Sequence, residues 1–143
     1  MRYEEQMPVV PIRPSCGKET ILLAEDDENV REVISVVLKT SGYTVINAVN
    51  GEDAVQIFMS NKDKINILLL DIVMPIKSGK EAYEEIKKIT PDIKVLFMSG
   101  YPPDVIYRRE ICEQGLDVLS KPIPPHKLLI KLREALDKEG DIA

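Results

Sequence analysis

The sequence has only two cysteines and one histidine in 143 residues, and no apolar run approaches the roughly 20 residues of a membrane-spanning helix. Cys16 and Cys112 lie far apart and form no CxxC pair, and the start Met1-Arg2-Tyr3-Glu4-Glu5 lacks the apolar stretch of a secretion signal. A reducing, cytoplasmic setting is therefore expected, with no direct membrane contact. Positive charge is also in short supply: 19 Lys and Arg against 24 Asp and Glu leave a formal charge of −5. Affinity for nucleic acid rests on clustered cations that displace counterions, so a nucleic-acid partner is not expected. The one basic cluster, Lys127, Lys131 and Arg133, reads as a solvated helix face.

What the chain does have is 44% hydrophobic and 30% charged residues, ordinary for a soluble globular protein, in a length that suits one domain and a short extension. Residues 1–18 carry Pro8, Pro11 and Pro14 with Ser15 and Gly17, and read as a flexible linker or tail. The folded unit is expected over residues 19–140.

Within it, short β-type runs alternate with helix-period stretches. Thr20 to Ala24, Tyr43 to Asn47, Ile65 to Leu70, Ile93 to Met98 and Asp117 to Ser120 read as strands. Val30, Val33, Ile34, Val37 and Leu38 recur at helical spacing and form one apolar face, closed by Gly42. Further helices are expected from Gly51 to Ser60, Gly79 to Lys88, Pro103 to Glu113 and Pro125 to Lys138. Ile21-Leu22-Leu23 and Ile67-Leu68-Leu69-Leu70 are continuous apolar runs, as in strands buried on both faces of a parallel sheet. The fold class is α/β, a doubly wound (βα)₅ five-stranded parallel sheet of the flavodoxin-like type.

Such sheets bind ligands beyond the carboxyl ends of their strands, where strand order reverses. The first strand ends in Glu25-Asp26-Asp27, the third in Asp71, the fourth in Ser99-Gly100 and the fifth in Ser120-Lys121-Pro122. Clustered carboxylates repel one another unless a cation sits among them, and hard oxygen ligands without nearby His or Cys favour Mg²⁺ over zinc. Mg²⁺ takes few protein carboxylates and leaves room for phosphate oxygens, so the site is expected to handle phosphoryl groups. Asp71, delivered singly by a buried strand, suits a nucleophile that forms an acyl phosphate; Ser99, Lys121 and backbone N–H groups after Asp71 would share the phosphoryl charge. A cis Lys121-Pro122 bond would aim the ammonium inward.

With these residues in place, the stretch from Thr20 to about Leu136 resembles the receiver domain of two-component response regulators. Thr20-Ile-Leu-Leu-Ala-Glu-Asp-Asp is similar to the family's first strand and acidic pair, Leu70-Asp71-Ile-Val-Met74-Pro75 to its phosphoacceptor turn, and Ser99-Gly100 and Lys121-Pro122 to its hydroxyl and lysine positions. Counting back from Arg31, the resemblance implies that Asp26 is a direct metal ligand and that Glu25 acts through water. It further implies Asp71 and the backbone carbonyl of Val73 as ligands, with Asp71, Ser99 and Lys121 doing the chemistry. The implied function is a His-to-Asp phosphorelay, with a histidine kinase or histidine phosphotransfer protein as phosphodonor. The domain is then no enzyme in its own right; it promotes transfer to its own Asp, and a transient dimer is compatible with this. Phe97-Met98-Ser99-Gly100-Tyr101 resembles receivers attached to hybrid sensor kinases, and a stand-alone regulator is the other reading. Val118 stands where the family often has an aromatic switch residue, and Ser78 where an Asp is frequent, so a partial switch is expected. Tyr101 and Val73 should flank the phosphoryl site, where bulk slows hydrolysis.

Singly, each residue has a plainer reading. Asp26 or Asp27 could cap a helix, Asp71 and Ser99-Gly100 could be turn residues, and Lys121 could be a snorkelling lysine. His126 reads as a capping or surface residue, Cys112 as a small apolar filler and Cys16 as an exposed thiol. A Mg²⁺-dependent phosphohydrolase would need a second carboxylate near the nucleophile, and Asp71-Ile-Val has none two residues on. A flavodoxin-like carrier would need a phosphate loop where Glu25-Asp26-Asp27 stands. A docking-only pseudo-receiver would be expected to lack one of the acidic, hydroxyl or lysine positions, and all are present.

Overall fold

A computed structural model describes residues 16–100 and 105–138, with the side chains of 105–108 excepted. Among the described residues, five strands alternate with five helices: β1 Thr20–Ala24, α1 Glu28–Thr40, β2 Thr44–Ala48, α2 Gly51–Asn61, β3 Ile67–Asp71, α3 Gly79–Ile89, β4 Lys94–Ser99, α4 Val105–Glu113, β5 Val118–Ser120 and α5 Pro125–Asp137. Every expected strand and helix is found, with ends shifted by a residue or two. The expected start of α4 at Pro103, the expected place of Tyr101 beside the phosphoryl site and residues 1–15 of the expected linker over 1–18 lie outside the described residues.

All strand pairs are parallel, in the order β2-β1-β3-β4-β5. The chain steps outward from β1 to β2, then returns past β1 to β3, so the order reverses beside β1. Leu68 and Leu70 face one layer, with Ala54 and Phe58 of α2, Ala82 and Ile86 of α3 and Ile111 of α4. Ile67 and Leu69 face the other, with Ile34 and Leu38 of α1 and Leu128, Leu132 and Leu136 of α5. The unbroken apolar run of β3 thus serves two cores by simple alternation.

Local chemistry sets the helix ends. Asp27 accepts a hydrogen bond from the Val30 N–H at 3.1 Å and caps α1. Ser78 and Glu81 form a reciprocal capping box at the start of α3, so the serine that replaces a frequent Asp keeps the cap. Gly42 ends α1 with φ of 101°, and a Cβ there would lie 2.4 Å from the Gly17 carbonyl oxygen.

Three expectations are corrected. Cys112 is exposed, and its neighbour Ile111 fills the core under α4. Val33 is 62% exposed because it borders an open cavity at the end of the sheet instead of joining the core under α1. Arg133 is not part of a solvated face. Its guanidinium reaches Glu19 Oε2 at 2.6 Å, Asp137 Oδ1 at 2.9 Å, the Cys16 carbonyl at 2.9 Å and the Tyr43 hydroxyl at 3.2 Å. Residues 16–18 are therefore hydrogen-bonded to the fold, with the Gly17 N–H also donating to the Ser41 carbonyl at 3.2 Å.

Candidate functional site

The carboxyl ends of β1, β3, β4 and β5 bring the candidate residues to one pole. Glu25 follows β1 and is 1% exposed; Asp71 closes β3 and is 5% exposed. Asp26 stands in the open beside them. One oxygen from each of Glu25, Asp26 and Asp71 can be chosen so that all lie within 4.8 Å of one another. Ser99, which ends β4, is buried, and its carbonyl accepts the Lys121 N–H at 2.8 Å. The Lys121-Pro122 peptide is cis.

Lys121 is the cation among these acids. Its Nζ lies 2.8 Å from Glu25 Oε1 and 3.3 Å from Asp71 Oδ2. The other Glu25 oxygen accepts the Asp27 N–H at 3.0 Å, and Arg31 donates to the Glu25 backbone carbonyl at 2.7 Å. These partners were not foreseen for Glu25, which sequence reasoning had reaching a metal through water. A cation one turn into the helix that follows Glu25 was the available sequence signal for the Arg31 hydrogen bond.

Burial and the neighbouring Glu25 charge push the Asp71 carboxyl up to about 7, against the opposing pull of Lys121. Burial works against the charged form of Lys121, yet its bonds to Glu25 and its attraction to Asp71 outweigh this and hold it above the usual lysine range. One ammonium thus faces two buried carboxylates, with Asp26 adding a third negative group nearby. A divalent cation with a preference for oxygen fits this charge deficit and this donor set. Glu25, Asp26 and Asp71 are the residues that could hold it.

The acids open into a cavity of about 840 Å³ whose other wall is apolar, formed by Val30, Val33 and Ile34 of α1 and by Pro122 and Ile123. Val73, two residues after Asp71, also lines it and is half-exposed. Such a site can present a recessed carboxylate to an incoming group while an apolar surface receives whatever carries that group.

The sequence model described as the response regulator receiver domain matches residues 21–133. The sensor kinase CckA of Brucella abortus is 34% identical over 123 residues, which make up 86% of this chain and 13% of CckA. The response regulator receiver protein CpdR of Brucella abortus is 32% identical over 116 residues, 81% of this chain and 95% of CpdR. The solved structure of the response regulator TrrA from Thermotoga maritima, in complex with Mg²⁺-BeF, superimposes with a TM-score of 0.72 at 30% identity, covering 82% of this chain and 98% of that one. The chain spans only a small part of the larger relatives, CckA among them. Its fold, its register of acids and lysine, and these matches agree, and the chain belongs to the response regulator receiver domain family of two-component signalling proteins.

Proposed function

We propose that this receiver domain is phosphorylated on Asp71 by a histidine-phosphorylated protein, a histidine kinase or phosphotransfer protein, in a magnesium-dependent reaction. The observation that carries this reading is the convergence of Asp71 with Glu25, Asp26 and Lys121 at one pole of the sheet. The complex of TrrA with Mg²⁺-BeF, a metal with a beryllium fluoride, supports the same chemistry in a relative.

An Asp71 carboxylate oxygen attacks phosphorus as the phosphorus–nitrogen bond of the donor breaks, and the departing imidazole keeps that electron pair and takes up a proton from solvent. Magnesium, when bound, neutralises charge on the phosphoryl oxygens and on the surrounding carboxylates. Glu25, Asp26, Asp71 and the Val73 carbonyl are the groups assigned to hold it. Lys121, already drawn between Glu25 and Asp71, can follow the new negative charge on the phosphorylated Asp71, and Ser99 is assigned the phosphoryl hydrogen bond. The apolar wall of Val30, Val33 and Ile123 would receive the donor's surface. Val118, which packs partly buried against the core, has no aromatic ring to swing inward, so the response at β4, α4 and β5 is expected to be partial.

Incubation of wild type and Asp71→Ala with acetyl phosphate, with and without Mg²⁺, followed by intact mass, tests the proposal. A single Mg²⁺-dependent phosphate adduct, absent from Asp71→Ala, is the expected result. No adduct on the wild type would leave a domain that only docks to its partners.

A further inference from the structure

The loop from β3 to α3, residues 72–78, carries Val73 past the acids and then takes an unusual path. The Lys77 N–H donates to the Pro75 carbonyl at 2.7 Å, closing a three-residue turn with Ile76 at its centre and φ of 69°. A β-branched residue in this region is strained, and turns of this hand are rare. Ile76 is also 79% exposed, so packing of its own side chain does not hold it there.

What holds the turn is Lys77. Its carbonyl accepts the Gly51 N–H at 3.0 Å, where a Cβ on residue 51 would lie 2.1 Å from that oxygen. Its ammonium bonds Glu52 of α2 at 3.0 Å and also pairs with Glu85 of α3. The lysine side chain is only 19% exposed. One residue thus ties the far half of the loop to two helices. The near half is fixed by the Ile72 N–H to the Met98 carbonyl and the Gly79 N–H to the Ile72 carbonyl, each at 2.9 Å. Val73 lies on the span between these two anchors.

We infer that Lys77 is a positioning residue for the metal site: by seating the loop against α2 and α3, it fixes where the Val73 carbonyl stands relative to Asp71 and Asp26. This rests on the magnesium-dependent reading above. The carboxylates that Lys77 pairs with, Glu52 and Glu85, are themselves largely open to solvent, and ion pairs of that kind contribute little to stability, so the role is one of geometry rather than of holding the fold together.

The test is calorimetric titration of Mg²⁺ into chelator-treated protein, without any phosphodonor, for wild type, Lys77→Met, Lys77→Arg and Asp26→Asn. Lys77→Met is expected to bind Mg²⁺ at least five-fold more weakly, with Lys77→Arg recovering most of the loss because it restores the cation between Glu52 and Glu85. Urea unfolding of the metal-free forms separates this from a structural role, which would lower the unfolding midpoint and leave the affinity of folded protein unchanged. A Lys77→Met affinity within two-fold of wild type overturns the inference while the magnesium site stands. Absence of Mg²⁺ binding by wild type overturns both. If Lys77→Met does not fold, the Glu52→Gln, Glu85→Gln double variant removes the same clamp from the other side, and is expected to lose affinity equally; unchanged affinity there is the contrary result.

Discussion

Lys121 stands nearer to Glu25, at 2.8 Å, than to Asp71, at 3.3 Å. The fully buried glutamate, rather than Asp71, is the nearer partner of the ammonium. Removing the lysine should therefore be felt first as a stability defect at Glu25. Lys121→Met is expected to destabilise metal-free protein by about 1–3 kcal/mol, since a buried carboxylate is left without its cation. Added Mg²⁺ should raise the melting temperature of this variant more than that of wild type. Equal metal-induced shifts would show that the ion does not compensate for the lost ammonium.

Asp71 costs the metal-free fold energy, because a carboxylate enclosed by the protein and facing Glu25 is poorly compensated by a shared lysine. Asp71→Asn keeps the shape and removes the charge, and should stabilise chelator-treated protein by roughly 1–3 kcal/mol near neutral pH. Urea midpoints of the two proteins check this. Mg²⁺ should stabilise the wild type and leave Asp71→Asn almost unmoved.

At the opposite pole, the bond from Arg133 holds the Glu19 carboxyl below its usual value of 4.5. A depressed carboxyl contributes stability above its unfolded pKa and loses it as pH falls through the lower, folded one. Glu19 is part-exposed, so the effect is modest. Arg133→Ala should cost about 1 kcal/mol at pH 7, and its deficit should shrink as the pH falls below 4.5 and the wild type loses the same contribution. A deficit that is constant with pH would mean that the Glu19 pair contributes nothing and that Arg133 acts through packing and its bonds to Cys16 and Tyr43.

Ile76, with φ of 69° and its side chain in solvent, should be replaceable at a gain. Ile76→Asn is expected to raise stability by about 0.5–1 kcal/mol, since Asn tolerates the left-handed region better than a β-branched residue. An unchanged or lowered urea midpoint would count against strain at this turn.

Much of the scaffold was legible because its signals are local and repeated. Ile67 to Leu70 reads as a doubly buried strand from four apolar residues in a row, and Gly42 marks the end of α1 by its own chemistry. Glu25, Asp71 and Lys121 could be brought together once a parallel sheet was assumed, since the fold places all strand ends on one side. The links that depend on long-range geometry were not legible. Nothing near Arg133 in sequence announces Glu19 or Cys16, which are more than a hundred positions away, and nothing near Lys77 announces Glu52. Helical spacing put Val33 on the apolar stripe, but periodicity reports a face and not where along it a cavity opens. Cys112 was read from residue type, and the burial went to its neighbour Ile111.

The Arg133 guanidinium touches both the residue that leads into β1 and the last residue of α5. Among the described residues, the approach to β1 and the end of α5 thus lie within the reach of one side chain, at the pole away from the acids. A unit whose two ends meet in this way can be spliced into a longer chain as a closed loop without prying the host apart. The acids at the other pole would then stay clear of the splice, their cavity facing away from the host.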